Sequence, residues 1–177
     1  CSPTTKAVKE EKTRLEDKYP VLKTLPPVTV DIKPGSSYRD TDSIGLADPT
    51  ADLYGGYAHG INKITLVENP TIEKEHAFRH EYGHHVQDYL AKDVRIEGLT
   101  QRGKSWQMLS APYVGKDAPT ILSDYAKINH RELFAESFAV FTSDKYKQGT
   151  LPKDIEKFFD KMLSKRVENI TSAGAEP

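Results

Sequence analysis

Only one cysteine occurs in the 177 residues, at position 1, so no disulfide can form within the chain and the cross-linked framework of many small secreted domains is excluded. A surplus of either charge is lacking too: 25 Lys and Arg stand against 26 Asp and Glu, a net charge of −1. Without a basic excess, nucleic acid is not an expected partner. No apolar run approaches the roughly 18 residues of a membrane-spanning helix, and no segment recurs at a repeat-protein period. What remains is a composition of 37% hydrophobic and 29% charged residues, that of a globular domain. The length supplies one core and not two full-sized ones, and the chain is expected to be a monomer.

The chain opens Cys1-Ser2-Pro3 without Met. This start reads as that of a processed bacterial lipoprotein with its lipid on Cys1, and it sets the expectation of an extracytoplasmic protein, cell-bound or secreted. Residues 1–12 are polar and read as a tether, with residues 13–177 forming one catalytic domain. Val8, Leu15, Tyr19 and Leu22 predict a surface helix that stops before Pro20. After Pro26-Pro27, Val28, Val30 and Ile32 alternate with polar residues as in a half-buried strand. Two further strands are predicted, over Leu53–His59 and Lys63–Glu68. A helix follows over about Ile72–Lys92, with Glu73 and Glu75 in its first turn. Residues 93–119 read as a long irregular connection. A second core helix is predicted over about Asn129–Tyr146. A third, over 152–170, places Ile155, Phe158, Phe159 and Met162 on one face.

The chemistry concentrates in His80-Glu81-Tyr82-Gly83-His84. Two His four apart on a helix project from one face, about 6 Å apart along the axis, and can share one metal ion. Glu81 lies about 100° round the helix, within reach of a water at that ion without ligating it. Zinc suits this arrangement, because neutral imidazole ligands leave it an open position and it acidifies a bound water. Gly83 in mid-helix costs about 1 kcal/mol relative to Ala, which calls for a packing reason such as close approach of another chain segment.

Two His do not complete a site. The metzincin continuation would need Gly at 87 and His at 90, where this chain has Gln87 and Leu90. A carboxylate from the second core helix is the alternative. That helix is apolar nearly all round from Leu133 to Phe141, yet carries Glu132 and Glu136 on one face, and a buried carboxylate needs a cation or a hydrogen-bonding partner. Either Glu is a candidate third ligand. Glu132 could instead pair with Asn129 in a capping box, and Glu136 could hydrogen-bond a ligating His. Tyr125, seven residues before Glu132, is a candidate donor to an oxyanion.

Taken together, His80-Glu81-Tyr82-Gly83-His84 and the run from Tyr125 through Asn129, Glu132 and Glu136 to Phe138 resemble the catalytic domain of anthrax lethal factor and its relatives, the Pro-Pro endopeptidases. The resemblance is strongest over residues 53–146. It implies an α+β, gluzincin-type zincin fold with a small twisted sheet and one Zn2+ per chain held by His80, His84 and Glu132. It further implies that Glu81 is the general base, Tyr125 steadies the oxyanion, and the substrate is a protein or peptide. The only Trp, Trp106, stands downstream of the zinc helix instead of upstream, so a preference for proline does not carry over. The additional domains of the lethal factor do not fit in 177 residues.

In zincins the substrate adds as a strand to the sheet edge beside the active-site helix. Residues 53–58 are the expected edge, with Gly55 and Gly56 admitting a substrate backbone and Tyr54 or Tyr57 lining a subsite. Lys104 and Trp106 are subsite-wall candidates, with Trp106 also a core anchor. His59, His76, His85 and His130 read as bystanders, His76 for want of a matching acid. A competing reading keeps the zinc and drops the catalysis: a surface lipoprotein with a binding or adhesion role. Another has the same fold acting on a different amide or ester.

Overall fold

The computed structural model describes residues 3–33, 55–68, 73–94, 96, 105–115, 122 and 124–164. Cys1, Tyr54 and Lys104 lie outside these residues, as does the third predicted helix beyond Ser164. The architecture is α+β. Helix α1 (Pro3–Lys18) leads through a 3-10 turn to strand β1 (Thr29–Lys33), and β2 (Gly55–Ala58) and β3 (Lys63–Val67) follow. Helix α2 (Lys74–Leu90) carries the His-Glu motif. The short α3 (Ser105–Ser110), α4 (His130–Phe141) and α5 (Lys153–Leu163) complete the fold. No helix among the described residues is long and apolar enough to cross a membrane.

The sheet has the order β1-β3-β2, with β3 central, parallel to β1 and antiparallel to β2. Thr29 pairs with Lys63 and Gly55 with Leu66, so β2 forms one edge of the described sheet. A 3-10 turn over His59–Ile61 and Asn62 link β2 to β3. Asn62 adopts φ 49°, a left-handed conformation that Asn tolerates better than most residues. Ile64 and Leu66 of β3 are buried.

Helix α4 runs through the middle of the molecule. Leu133, Phe134, Ala135, Phe138 and Ala139 are fully buried, as a helix apolar nearly all round from Leu133 requires. It is shorter than the predicted Asn129–Tyr146. At its start the Asn129 side chain accepts from Glu132 N–H at 2.8 Å. At its end Thr142 Oγ1 bonds back to the Phe138 carbonyl at 2.6 Å. The chain then turns so that buried Glu156 gathers the Tyr146 hydroxyl and, at 2.8 Å, the Gly149 N–H. Helix α5 closes that side with Ile155, Phe158, Phe159 and Met162. Trp106 on α3 packs edge-on against Phe134, ring centroids 5.1 Å apart, and donates Nε1–H to the His130 carbonyl at 2.7 Å. It is the anchor of its segment.

The tether expected over residues 1–12 is corrected by α1, which begins at Pro3 and buries Val8, Glu11 and Leu15. The polar composition conceals its attachment, because part of that attachment is ionic. Glu11 bonds Arg14 and Arg79. Arg14 Nη2 donates to the Thr142 carbonyl at 2.7 Å, and Arg79 Nε to the Ala139 carbonyl at 2.8 Å. Helix α1 is thereby held to α2 and α4.

Candidate metal centre

Helices α2 and α4 meet antiparallel at Gly83. A Cβ added there would lie 3.1 Å from the Ala135 Cα and 3.2 Å from Phe138 Cδ1, so the close approach that justifies a mid-helix glycine comes from the α4 backbone. Such proximity brings the polar stripes of the two helices into register. His84, Glu132, His80, Glu136 and His76 alternate along the interface, imidazoles from α2 and carboxylates from α4, each set spaced by one helical turn.

The centre of this ladder is compact. Glu132 Oε2 lies 3.0 Å from His80 Nε2, and its Oε1 lies 3.2 Å from His84 Nε2. Glu81 Oε1 stands 3.7 Å from His80 Nε2. The imidazoles of His80 and His84 are mutually perpendicular with centroids 5.0 Å apart. His80, Glu81 and His84 are all buried, and a ligand atom from each lies within 4.8 Å of the others. This buried group could hold a metal ion.

Two features test how a cation suits these residues. Glu132 Oε2 is buried and, among the described residues, makes no aligned hydrogen bond despite its nearness to His80. A bound cation would satisfy such a buried carboxylate oxygen. The donor set of two imidazole nitrogens and a carboxylate oxygen is also a borderline-hard set that suits Zn2+.

Burial pushes His80, His84, Glu132 and Glu136 towards neutrality, and their contacts resist it. For His80, burial is outweighed by the adjoining carboxylates of Glu132, Glu136 and Glu81, which hold the imidazole well above its usual range. Glu132 is correspondingly held below the ordinary carboxylate range by His80 and His84, against the effect of burial. Glu136 is lowered in the same way by His76 and His80. For His84, burial prevails and lowers it.

The capping and metal readings of the 129–132 segment are compatible. Asn129 caps the helix through the Glu132 backbone N–H, leaving the Glu132 carboxylate to face His80 and His84. Glu136 lies beside His80, with Oε2 3.7 Å from Nδ1. The backbone of Tyr125 falls in a 3-10 turn, Asp124–Lys127, just before α4, and its side chain is outside what the structure describes.

At the sheet edge the expected residues separate into distinct roles. Gly55 is buried with φ 127°, and an added Cβ would lie 1.8 Å from the Thr65 carbonyl oxygen, so its need for glycine arises inside the sheet. Gly56 has nothing within 4 Å of such a position and is the open one. The Tyr57 hydroxyl is turned inward, 2.8 Å from His85 Nδ1. His85 in turn donates Nε2–H to the Pro26 carbonyl at 2.8 Å. Tyr57 thus fastens the edge strand to the metal helix.

The supposed bystanders are also engaged. His59 pairs with Asp88 at 2.7 Å and His130 Nδ1 with Ser110 Oγ at 2.6 Å. The main correction concerns His76, whose Nε2 lies 2.8 Å from Glu136 Oε2. It does have a matching acid, on another helix. The signal was present in the sequence as His at 76, 80 and 84 and Glu at 132 and 136, two stripes of equal spacing that zip together once the helices are antiparallel. No family model and no curated protein matches the sequence.

Proposed function

We propose that this protein is a zinc-dependent endopeptidase with a zincin-like catalytic domain of the lethal factor type. The observation that carries the reading is the Glu132 carboxylate set between His80 Nε2 and His84 Nε2 at 3.0 and 3.2 Å, with Glu81 on the same helix 3.7 Å from His80. His80, His84 and Glu132 would hold the ion. When bound, Zn2+ supplies a Lewis acid and lowers the pKa of a coordinated water towards neutrality.

The chain's own residues account for the rest of the reaction. Glu81 takes a proton from the attacking water on its carboxylate and returns it to the departing amide nitrogen. Tyr125 donates from its phenol to the developing oxyanion. The outer edge of β2, beside the open Gly56, pairs with an extended substrate backbone. Recognition through backbone hydrogen bonds also accords with the chain's near-neutral charge.

The test is a digest of a peptide library by wild type and by Glu81→Ala, alongside metal analysis of both. Wild type is expected to carry one zinc and to cleave. Glu81→Ala should retain the zinc while kcat/KM falls by about 10²–10⁴, the usual worth of a general acid–base group. Equal cleavage by both proteins would sink the mechanism. Stoichiometric zinc with no cleavage by either would favour the binding-protein reading.

A further inference from the structure

Three histidines, not two, occupy the metal face of α2. The third, His76, is one turn removed from the ligands, and its side chain is about one-third exposed (33%). Its Nε2 lies 2.8 Å from Glu136 Oε2, the same oxygen that stands 3.7 Å from His80 Nδ1. Glu136 is buried at 3% exposure, on the turn of α4 that follows Glu132. The carboxylate is shared between a partly exposed imidazole and the imidazole that faces Glu132.

The opposite end of the ladder lacks such support. Among the described residues His84 Nδ1 is buried without a hydrogen-bond partner, whereas a metal-ligating His ordinarily has its second nitrogen held by a carboxylate, a carbonyl or water. Orientation of the donor set therefore depends on the His80 side. A Glu side chain has three rotatable bonds before its carboxylate, and one contact does not fix it. With Oε2 held by His76 at 2.8 Å, the Glu136 carboxylate keeps its place beside His80 Nδ1, 3.7 Å away, and His80 Nε2 stays turned towards Glu132.

We propose that His76 is a positioning residue for the metal centre, acting through Glu136 on the His80 imidazole. The inference rests on the zinc reading of the site. It assigns His76 no contact with the ion and none with substrate. Its effect is on how firmly and in what geometry the ion is held.

The test is zinc affinity by chelator competition, with the visible absorption of the Co2+-substituted protein as a report on ligand geometry. His76→Phe retains a ring and removes the donor; His76→Leu serves as a second variant should the first misfold. Either is expected to lower zinc affinity about 10–100-fold, the usual effect of removing such an outer partner, and to shift the cobalt bands. His76→Gln, which restores an N–H donor, should recover most of the loss. In a Glu136→Gln background His76→Phe should cost nothing further, because the two act in series. Wild-type zinc affinity and an unchanged cobalt spectrum in folded His76→Phe or His76→Leu would overturn the proposal. So would losses that simply add in the double variant. If wild type itself binds no zinc, the zinc reading falls and this one with it; a zinc-binding, cleaving wild type matched by its His76 variants defeats this proposal alone.

Discussion

At Gly83 a methyl group would be 3.1 Å from the Ala135 Cα, on backbone that cannot rotate away. Alanine is favoured over glycine in a helix by about 1 kcal/mol, but overpacking a tight contact costs about 1–3 kcal/mol. Gly83→Ala is therefore expected to lower stability by up to about 2 kcal/mol in urea unfolding, where an exposed helical glycine would show a gain. The two edge glycines separate by the same logic. Gly55→Ala places a Cβ on the Thr65 carbonyl at a positive φ and should unfold the β2 edge, lowering thermal stability by several degrees. Gly56→Ala meets nothing and should leave the melting temperature within about a degree. If substrate adds along this edge, Gly56→Ala will instead raise KM, a separation that melting curves and peptide kinetics measure directly.

Among the helices, α1 rests on ions as much as on apolar contact. Glu11 is buried beside Arg14 and Arg79, and the two guanidiniums hold its carboxyl below the ordinary 4.5 despite the upward push of burial. A lowered folded-state pKa means that the unfolded chain binds the proton more readily, so this contribution is present above about pH 4.5 and disappears as pH falls through the folded value. Glu11→Gln should accordingly be less stable than wild type by about 1–3 kcal/mol at pH 7, with the gap closing towards pH 3. Urea titrations at the two pH values check this; a constant gap would show that shape, not charge, docks the helix. The strand and helix positions were legible because their signals are local: apolar alternation around Ile64 and Leu66, the apolar run of α4, and the pattern of Phe158 and Phe159 in α5. The attachment of α1 was not, since the partners of Glu11 and Arg14 are Arg79 and Thr142, far along the chain.

For the whole molecule, the candidate metal centre and the core share one helix pair. The two helices that carry His80, His84 and Glu132 on their facing stripes also bury Tyr82, Phe134 and Phe138, so an ion bound between them would stabilise the main helix pair directly. With zinc at 100 times its Kd the gain is about 2.7 kcal/mol, which for a domain of this size raises Tm by about 5–10 °C. A chelator should reverse the shift, which a thermal scan with and without it measures. His84→Ala and Glu132→Ala should show little dependence on added zinc, while Glu81→Ala should respond as wild type does.

The sequence by itself determined which chemical groups are available and where they lie on their own elements. His80, Glu81 and His84 share a turn of helix through the 3.6-residue period alone, and Glu132 and Glu136 share a face of a helix whose other sides must be buried. Tertiary structure alone decided how these sets meet. The Gly83–Ala135 approach sets the antiparallel register that puts Glu132 against both His80 and His84 and Glu136 between His80 and His76. It also turned Tyr57 inward onto His85 and gave Gly55 a packing role inside the sheet. Periodicity is a property of neighbours in the chain, whereas cross-strand contact and helix register depend on residues from about ten (Gly55 and Thr65) to about fifty (Gly83 and Ala135) positions apart, whose distance only the packed core fixes.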